Sequence, residues 1–204
     1  MAAMAEHTAS DAPLWQPRES HLEVGEVLLG AEVIAARVAE LGAAITADYV
    51  GRQPLLVGVL KGAFVFMADL LRAVNLPTEV DFLAVSSYGA STTSSGVVRI
   101  MKDLDVPIEG RDVILVEDIV DSGLTLAFLL ENLAARGARS LAVCALLVRD
   151  VGDEAALPPE VTSRLRYTGF TLPPSWVVGY GLDAGERNRH LQGIHRYAAP
   201  PPPR

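Results

Sequence analysis

The sequence contains a single cysteine, a minority of basic residues and no unbroken apolar stretch long enough to cross a bilayer. Cys144 has no partner within the chain for a disulfide or a multi-cysteine metal site, and its apolar neighbours at 141–148 predict a buried small side chain. The net charge of −8 gives no general attraction to nucleic acid or to an anionic membrane, because both bind basic surfaces. Residues 1–20 lack the basic start and apolar stretch of a signal peptide, so we expect a cytoplasmic protein.

Two common phosphate-binding motifs are also absent. The sequence has neither a Walker-type glycine loop ending in lysine nor a Rossmann G-x-G-x-x-G. An acidic chain without them can still bind an anionic substrate through a local device, such as magnesium or a ring of backbone amides. Any phosphate site in this chain must therefore come from a different arrangement of residues.

The order of apolar segments predicts one α/β domain spanning 21–197. Continuous apolar runs alternate with longer segments of helical period, a pattern typical of parallel strands buried on both faces. The predicted strands are 55–60, 80–86, 113–116, 141–148 and 176–181, and the predicted helices are 31–50, 64–74 and 126–136. The segments at 1–20 and 198–204 lack apolar periodicity and are predicted to be disordered tails. Because ligands of open parallel sheets bind beyond the carboxyl ends of the strands, chemistry is expected there.

The most informative segment is 114–125, with the sequence ILVEDIVDSGLT. A buried strand leads into two acids, Glu117 and Asp118, and then into a turn of small residues that opens a helix. Backbone amides and hydroxyls between Ser122 and Thr125 can surround a phosphate, and the helix adds the positive end of its dipole. Two adjacent carboxylates are costly without a partner, so we expect them to bind ribose hydroxyls or a magnesium ion.

This run resembles the phosphoribosyl pyrophosphate motif of the type I phosphoribosyltransferases, which is an apolar strand, two acids and an acid-small-glycine-x-threonine loop. The resemblance implies a central parallel twisted sheet with helices on both faces and a small hood formed by the N- and C-terminal segments. It also implies a magnesium-dependent enzyme with Asp121 as general base and Glu117, Asp118 and Asp183 near the metal. The residues that it assigns to phosphoribosyl pyrophosphate are Lys61, Gly62, Glu117, Asp118, Asp121, Ser122, Gly123, Leu124, Thr125 and Arg189.

Further segments resemble the hypoxanthine-guanine branch of that family, and together the similar segments cover about 24–197. Lys61 and Gly62 look like the family's short pyrophosphate loop, whose Leu-Lys peptide is often cis. Ser87 and Tyr88 belong to a polar, glycine-bounded segment at 86–96 that resembles the family's lid, which closes over the reacting centre and excludes water. On composition alone, the same segment is also consistent with a plain hairpin loop.

The predicted strand at 176–181 resembles the purine site of the family. There Trp176 would stack on the base, Val177 would bind its edge through the backbone, and Asp183 would help to hold a second magnesium ion through water. Arg189 matches the family's pyrophosphate-binding arginine, although Arg187 is close by in the sequence. A large aromatic residue in a strand is also ordinary core filling, so Trp176 has that alternative role.

Arg149 departs from the family pattern, which has a lysine that donates to the exocyclic oxygen of a 6-oxopurine. Arginine can donate to the same oxygen, but its planar fork is larger and Asp150 could draw it away. The function implied is purine salvage, in which a homo-oligomer transfers the 5-phosphoribosyl group to hypoxanthine or guanine. The alternatives are a preference for xanthine, which Arg149 keeps open, and a nucleotide-sensing regulator that binds RNA, which the acidic charge disfavours.

Overall fold

The computed structural model describes residues 23–87, 98–150 and 156–198. The strands are β1 (Val24–Leu29), β2 (Leu55–Leu60), β3 (Glu79–Ser87), β4 (Val98–Lys102), β5 (Asp112–Val120), β6 (Ser140–Arg149), β7 (Leu165–Leu172), β8 (Val177–Val178) and β9 (Ile194–Tyr197). The helices are α1 (Ala31–Asp48), α2 (Phe64–Ala73), α3 (Leu124–Ala135) and α4 (Pro159–Thr162). The two predicted tails lie outside the described residues, apart from Ala198.

A six-stranded sheet in the order β4-β3-β2-β5-β6-β7 forms the centre of the fold. Strands β3, β2, β5, β6 and β7 are parallel, and β4 pairs with β3 in the antiparallel sense at one edge. Strand β5 lies between β2 and β6, so its carboxyl end is central among the loops that follow the strands. The predicted α/β class is confirmed, and the 114–125 segment lies where an open parallel sheet binds its ligands.

Helices cover both faces of this sheet, as predicted. Four residues of α1 spaced three or four apart lie on one side of the helix and are buried: Ile34, Val38, Leu41 and Ile45. They share an apolar layer with α2 and with Ile114 and Val116 of β5. Val113 and Leu115, which alternate with them along β5, belong to the layer under α3. The continuous apolar run of β5 thus reflects burial on both faces.

A second, three-stranded antiparallel sheet joins segments from opposite ends of the described chain. Its order is β1-β9-β8, with Val24 paired to Tyr197 and Val177 paired to Arg196. This sheet is the predicted hood of N- and C-terminal segments. No helix in the described ranges is long and apolar enough to span a membrane.

The prediction of a core strand at 176–181 was wrong. Only Val177–Val178 is a strand, and it belongs to the hood rather than to the main sheet. Gly179 and Gly181 have φ angles of 102° and 99°, which end the extended conformation. The last strand of the main sheet is instead β7, which the prediction missed because its mixed sequence LRYTGFTL lacks the apolar run of a fully buried strand.

Candidate active site

The acids at the end of β5 are enclosed by protein. Only 8 % of the Glu117 surface is exposed, and burial, followed by the repulsion of Asp118, raises the pKa of Glu117 well above its usual range. Burial likewise raises the pKa of Asp118 to about 6, although its carboxylate accepts a hydrogen bond of 2.8 Å from the Ile119 amide. Arg189 lowers the pKa of Asp118 but does not offset the effect of burial, so a buried and a half-buried acid side by side are suited to a ligand with hydroxyl groups or positive charge.

The turn after β5 forms a small cradle. Gly123 has a φ of 73°, and α3 begins directly after it at Leu124, so the amides of the first helical turn have no partner within the helix. A cavity of about 110 Å³ lies here, and its lining includes Asp121, Ser122, Gly123 and Thr125. Backbone amides, two hydroxyls and the positive end of a helix dipole suit a phosphate group, which would take over the long hydrogen bond of 3.5 Å that the Leu124 amide donates to Ser122 Oγ.

The loop after β2 packs directly against these acids. The Leu60–Lys61 peptide is cis, in agreement with the resemblance. A side chain on Gly62 would overlap the Asp118 carboxylate, and a side chain on Gly181 would overlap the Gly62 carbonyl oxygen. A side chain at position 62 would force the Asp118 side chain or the loop to move, and a side chain at position 181 would meet backbone at a φ of 99°. These close contacts bring the loop after β2, the end of β5 and the loop after β8 together.

A network of charges joins the loop at 179–193, hereafter the C-terminal loop, to Lys61. Arg189 Nη2 lies 2.8 Å from Asp183 Oδ1 and 3.0 Å from Glu186 Oε2, and Arg189 Nη1 donates to the Gly181 carbonyl at 2.8 Å. Lys61 Nζ lies 3.1 Å from Glu186 Oε1. Hydrogen bonds from Arg189 and then Lys61 hold the pKa of Glu186 below its usual range. The two predicted pyrophosphate ligands, Lys61 and Arg189, therefore lie on either side of one carboxylate.

Arg149, at the end of β6, occupies the space between the phosphate loop and the predicted purine site. Its Nε lies 3.2 Å from Asp121 Oδ1, and its guanidinium carbon lies 5.9 Å from the centre of the Trp176 ring. Only 15 % of the Arg149 side chain is exposed, yet its buried Nε makes no hydrogen bond with any described residue. The Nε is thus in an ion pair with Asp121 but lacks hydrogen-bond geometry to it, so an acceptor on a ligand would compete with Asp121 for this donor.

The structure thus brings most of the predicted site residues together. Trp176 is 55 % exposed, so the alternative of ordinary core filling is wrong, whereas Val177 is buried in β8. Ser87 is the last residue of β3, and Tyr88 with the rest of the predicted lid lies outside the described residues. Sequence reasoning missed Glu186, although an acid three residues before an arginine is a visible signal for an ion pair.

A magnesium ion would not find a complete set of protein ligands in this site. Within residues 23–87, 98–150 and 156–198, no group of three or more histidine, cysteine or acidic side chains could hold a metal. Asp183, predicted to lie near a metal, is paired with Arg189, and its role toward a metal stays a prediction. The buried pair of Glu117 and Asp118 still fits magnesium, which commonly uses one or two carboxylates together with substrate oxygens and water.

Comparisons with known proteins agree with this geometry. A model of the phosphoribosyl transferase domain family matches residues 26–184. The hypoxanthine-guanine phosphoribosyltransferase of Mycobacterium avium is 52% identical over 186 residues, which cover 88% of this chain and 89% of that protein. The enzyme of the same name from Bacillus subtilis is 47% identical over 172 residues, covering 84% of this chain and 92% of its own.

Solved structures are similar over the same range. A hypoxanthine phosphoribosyltransferase from Staphylococcus aureus superposes with a TM-score of 0.79 at 39% identity, covering 87% of this chain and 94% of that chain. A hypoxanthine-guanine-xanthine phosphoribosyltransferase gives a TM-score of 0.76 at 36% identity, covering 87% and 99%. The family model and the extent of the identities show that this chain belongs to the phosphoribosyltransferase family, in its hypoxanthine-guanine branch.

Proposed function

We propose that this protein transfers the 5-phosphoribosyl group of phosphoribosyl pyrophosphate to hypoxanthine and guanine, giving IMP or GMP and pyrophosphate. The observation that carries the proposal is the convergence of three devices around one space: the phosphate-sized cradle at 121–125, the buried Glu117 with the half-buried Asp118 beside it, and the cationic pair Lys61 and Arg189. These devices match the three polar parts of phosphoribosyl pyrophosphate, namely its 5-phosphate, its ribose hydroxyls and its pyrophosphate.

In the proposed reaction, the bond from the anomeric carbon to pyrophosphate breaks and a bond to the purine nitrogen forms on the opposite face of the ribose. The transition state has oxocarbenium character, so catalysis consists mainly of positioning and of stabilising charge. Glu117 and Asp118 would hold the ribose hydroxyls, while Lys61 and Arg189 would stabilise the charge that grows on the leaving group. Asp121 would accept a hydrogen bond or a proton from the imidazole ring of the purine.

Magnesium, when bound, would neutralise charge on the substrate oxygens. Glu117 and Asp118 are the carboxylates that suit it, directly or through the ribose. The purine would lie between Trp176 and Arg149, with the Val177 backbone at its edge and a guanidinium N–H directed at its exocyclic oxygen. The lid role of Ser87 and Tyr88 stays a prediction, as do a homo-oligomeric state and a cytoplasmic location.

The test is a base panel: hypoxanthine, guanine, xanthine and adenine, each with phosphoribosyl pyrophosphate and magnesium, with nucleotide formation as the readout. We expect hypoxanthine and guanine to react and adenine to be inert. The same assay on Asp121→Asn should show turnover lower by about a hundredfold or more, the usual contribution of a general base. That variant also controls for a contaminating host enzyme, and near-normal turnover in it would remove Asp121 from this role.

A preference for xanthine is the second candidate. Its support is Arg149, which has more donors than the family's lysine, so it could serve a base with an additional oxygen. One structurally similar protein is named for hypoxanthine, guanine and xanthine together. Faster nucleotide formation from xanthine than from hypoxanthine in the base panel would favour this candidate.

A further inference from the structure

Glu186 occupies the place that the proposed function gives to pyrophosphate. One of its carboxylate oxygens lies 3.1 Å from Lys61 Nζ and the other lies 3.0 Å from Arg189 Nη2. Lys61 belongs to the loop after β2 and Arg189 to the C-terminal loop, so a single carboxylate joins the two loops. Two oxygens of one phosphoryl group would make the same pair of contacts.

The backbone directs Glu186 into this position. Its φ angle is 62°, a left-handed conformation that is uncommon for a residue with a side chain. Its amide donates a hydrogen bond of 2.8 Å to Asp183 Oδ2, while the other oxygen of Asp183 lies 2.8 Å from Arg189 Nη2. Asp183 is only 11 % exposed, so it provides a fixed anchor for the turn that carries Glu186.

The contacts of Glu186 are nevertheless weak enough to be exchanged. Its side chain is 62 % exposed and that of Lys61 is 66 % exposed, so water screens this pair and it contributes little to stability. Arg189 is only 18 % exposed, but it keeps its pair with Asp183 when Glu186 leaves. The side chain can rotate into solvent without breaking the core. A multivalent pyrophosphate can therefore compete for the same two cations.

We propose that Glu186 is a stand-in anion that occupies the pyrophosphate subsite of the free enzyme and is displaced when phosphoribosyl pyrophosphate binds. This inference rests on the proposed function, because it requires Lys61 and Arg189 to bind the leaving group. Displacement costs the two ion pairs, so Glu186 weakens the binding of the substrate and of free pyrophosphate. It holds the two cations in place between turnovers and favours the release of pyrophosphate.

The test is Glu186→Gln, which keeps the shape of the side chain and removes its charge. The KM for phosphoribosyl pyrophosphate and the Kd of pyrophosphate from calorimetry should both fall by about three- to tenfold, while the KM for hypoxanthine stays unchanged. The matched control is Glu40→Gln, because Glu40 is 64 % exposed and also pairs with an arginine three residues away, Arg37. The control variant has the same change in net charge and should bind like the unmodified protein.

Weaker binding of phosphoribosyl pyrophosphate and pyrophosphate to Glu186→Gln would overturn the inference. If Glu186 served only to position Lys61 and Arg189, its loss would weaken the binding of both ligands, and unchanged constants would show that it does not compete at all. Lys61→Gln separates this failure from a failure of the proposed function. If Lys61→Gln raises the Kd for pyrophosphate while Glu186→Gln leaves it unchanged, the leaving-group site is supported and the proposed role of Glu186 is rejected.

Discussion

At the scale of single residues, the carboxylates of Glu117 and Asp118 lie where the protein limits their solvation by water. Their raised pKa values mean that the folded protein binds protons there more tightly than the unfolded chain does. A raised carboxyl pKa in the folded state makes folding less favourable at neutral pH. This cost begins to fall as the pH drops below the folded pKa and is gone below the unfolded pKa. Residues kept at such a cost are typical of a site built for a ligand.

Glu117→Gln should therefore stabilise the free protein while impairing its function. Because burial raises the pKa of Glu117, we expect the free energy of unfolding at neutral pH to rise, by an amount on the order of 1 kcal/mol. The gain should be smaller at pH of about 5 than at neutral pH, because protonation progressively removes the charge of the acids in the unmodified protein. Denaturant titrations at both pH values measure this change. Calorimetry should show weaker binding of phosphoribosyl pyrophosphate, and a variant less stable than the unmodified protein at neutral pH would contradict the argument.

At the scale of single residues, the sequence predicted the members of the site better than their partners. The 114–125 run was identified because strand, acids and turn are contiguous in the chain. The contact between Arg149 and Asp121 joins the ends of two strands, and that between Lys61 and Glu186 joins residues 125 positions apart. Such pairs depend on how loops pack in three dimensions, which no local pattern contains.

At the scale of elements, the loop after β2 can pack against β5 because Gly62 has no side chain. Gly62 touches the Asp118 carboxylate, and its carbonyl oxygen touches Gly181 of the C-terminal loop. These contacts set the distance between the predicted pyrophosphate loop and the acids at the end of β5. A displacement of about 1 Å in such a site can reduce the rate by about a hundredfold.

Gly62→Ala should therefore reduce kcat/KM for phosphoribosyl pyrophosphate by about a hundredfold, because a methyl group at this position overlaps Asp118 and forces the loop or the acid to move. Steady-state kinetics measure the loss, and a thermal melt verifies that the protein is folded. Gly30→Ala is the control, since a side chain there meets no atom within 4 Å and its φ of −73° suits any residue. Activity of Gly62→Ala within about twofold of the control would show that the loop tolerates a wider spacing.

The sequence also predicted some elements better than others. Strands β2, β5 and β6 were found because they are buried on both faces and their apolar runs are continuous. The edge strands β4 and β7 were missed because each has an exposed side and a mixed sequence. The hood strand β8 was assigned to the main sheet because its two buried valines resemble part of a core strand. The prediction placed Gly137 at the end of helix α3. The structure confirms this, because Gly137 has the left-handed φ of 77° that ends many helices.

At the scale of the whole molecule, the two ends of the parallel strands have opposite electrostatic characters. The carboxyl ends carry the unneutralised acids of the candidate site. At the amino end of β5, Asp112 is 1 % exposed, receives hydrogen bonds from Arg139 and from Ser140, and lies 3.8 Å from Arg52. The hydrogen bond from Arg139 is the main reason that the pKa of Asp112 lies below its usual range. A stabilising ion-pair network thus lies at the amino ends of the parallel strands, and the candidate binding residues lie at their carboxyl ends.

Asp112→Asn should separate these two properties. The substitution leaves Arg139 without its charge partner and places an amide donor among other donors, so we expect unfolding to become easier by about 2–3 kcal/mol; the solvent exposure of Arg139 limits the loss. Asp105→Asn, at a residue 79 % exposed and paired with Lys102, is the control and should change stability by less than about 0.5 kcal/mol.

The difference in the free energy of unfolding between the unmodified protein and Asp112→Asn should depend on pH. A carboxyl group with a lowered folded pKa contributes stability above its unfolded pKa and loses that contribution as the pH falls through the folded pKa. The difference between the unmodified protein and Asp112→Asn, measured by denaturant titration, should therefore be greatest near neutral pH and disappear in strong acid. Asp112 lies at the amino end of β5, whereas Glu117 and Asp118 lie near its carboxyl end. We therefore expect the kcat of Asp112→Asn, measured where the variant is fully folded, to match that of the unmodified protein. A fall in kcat of about a hundredfold would mean that the amino and carboxyl ends of the parallel strands are coupled through β5.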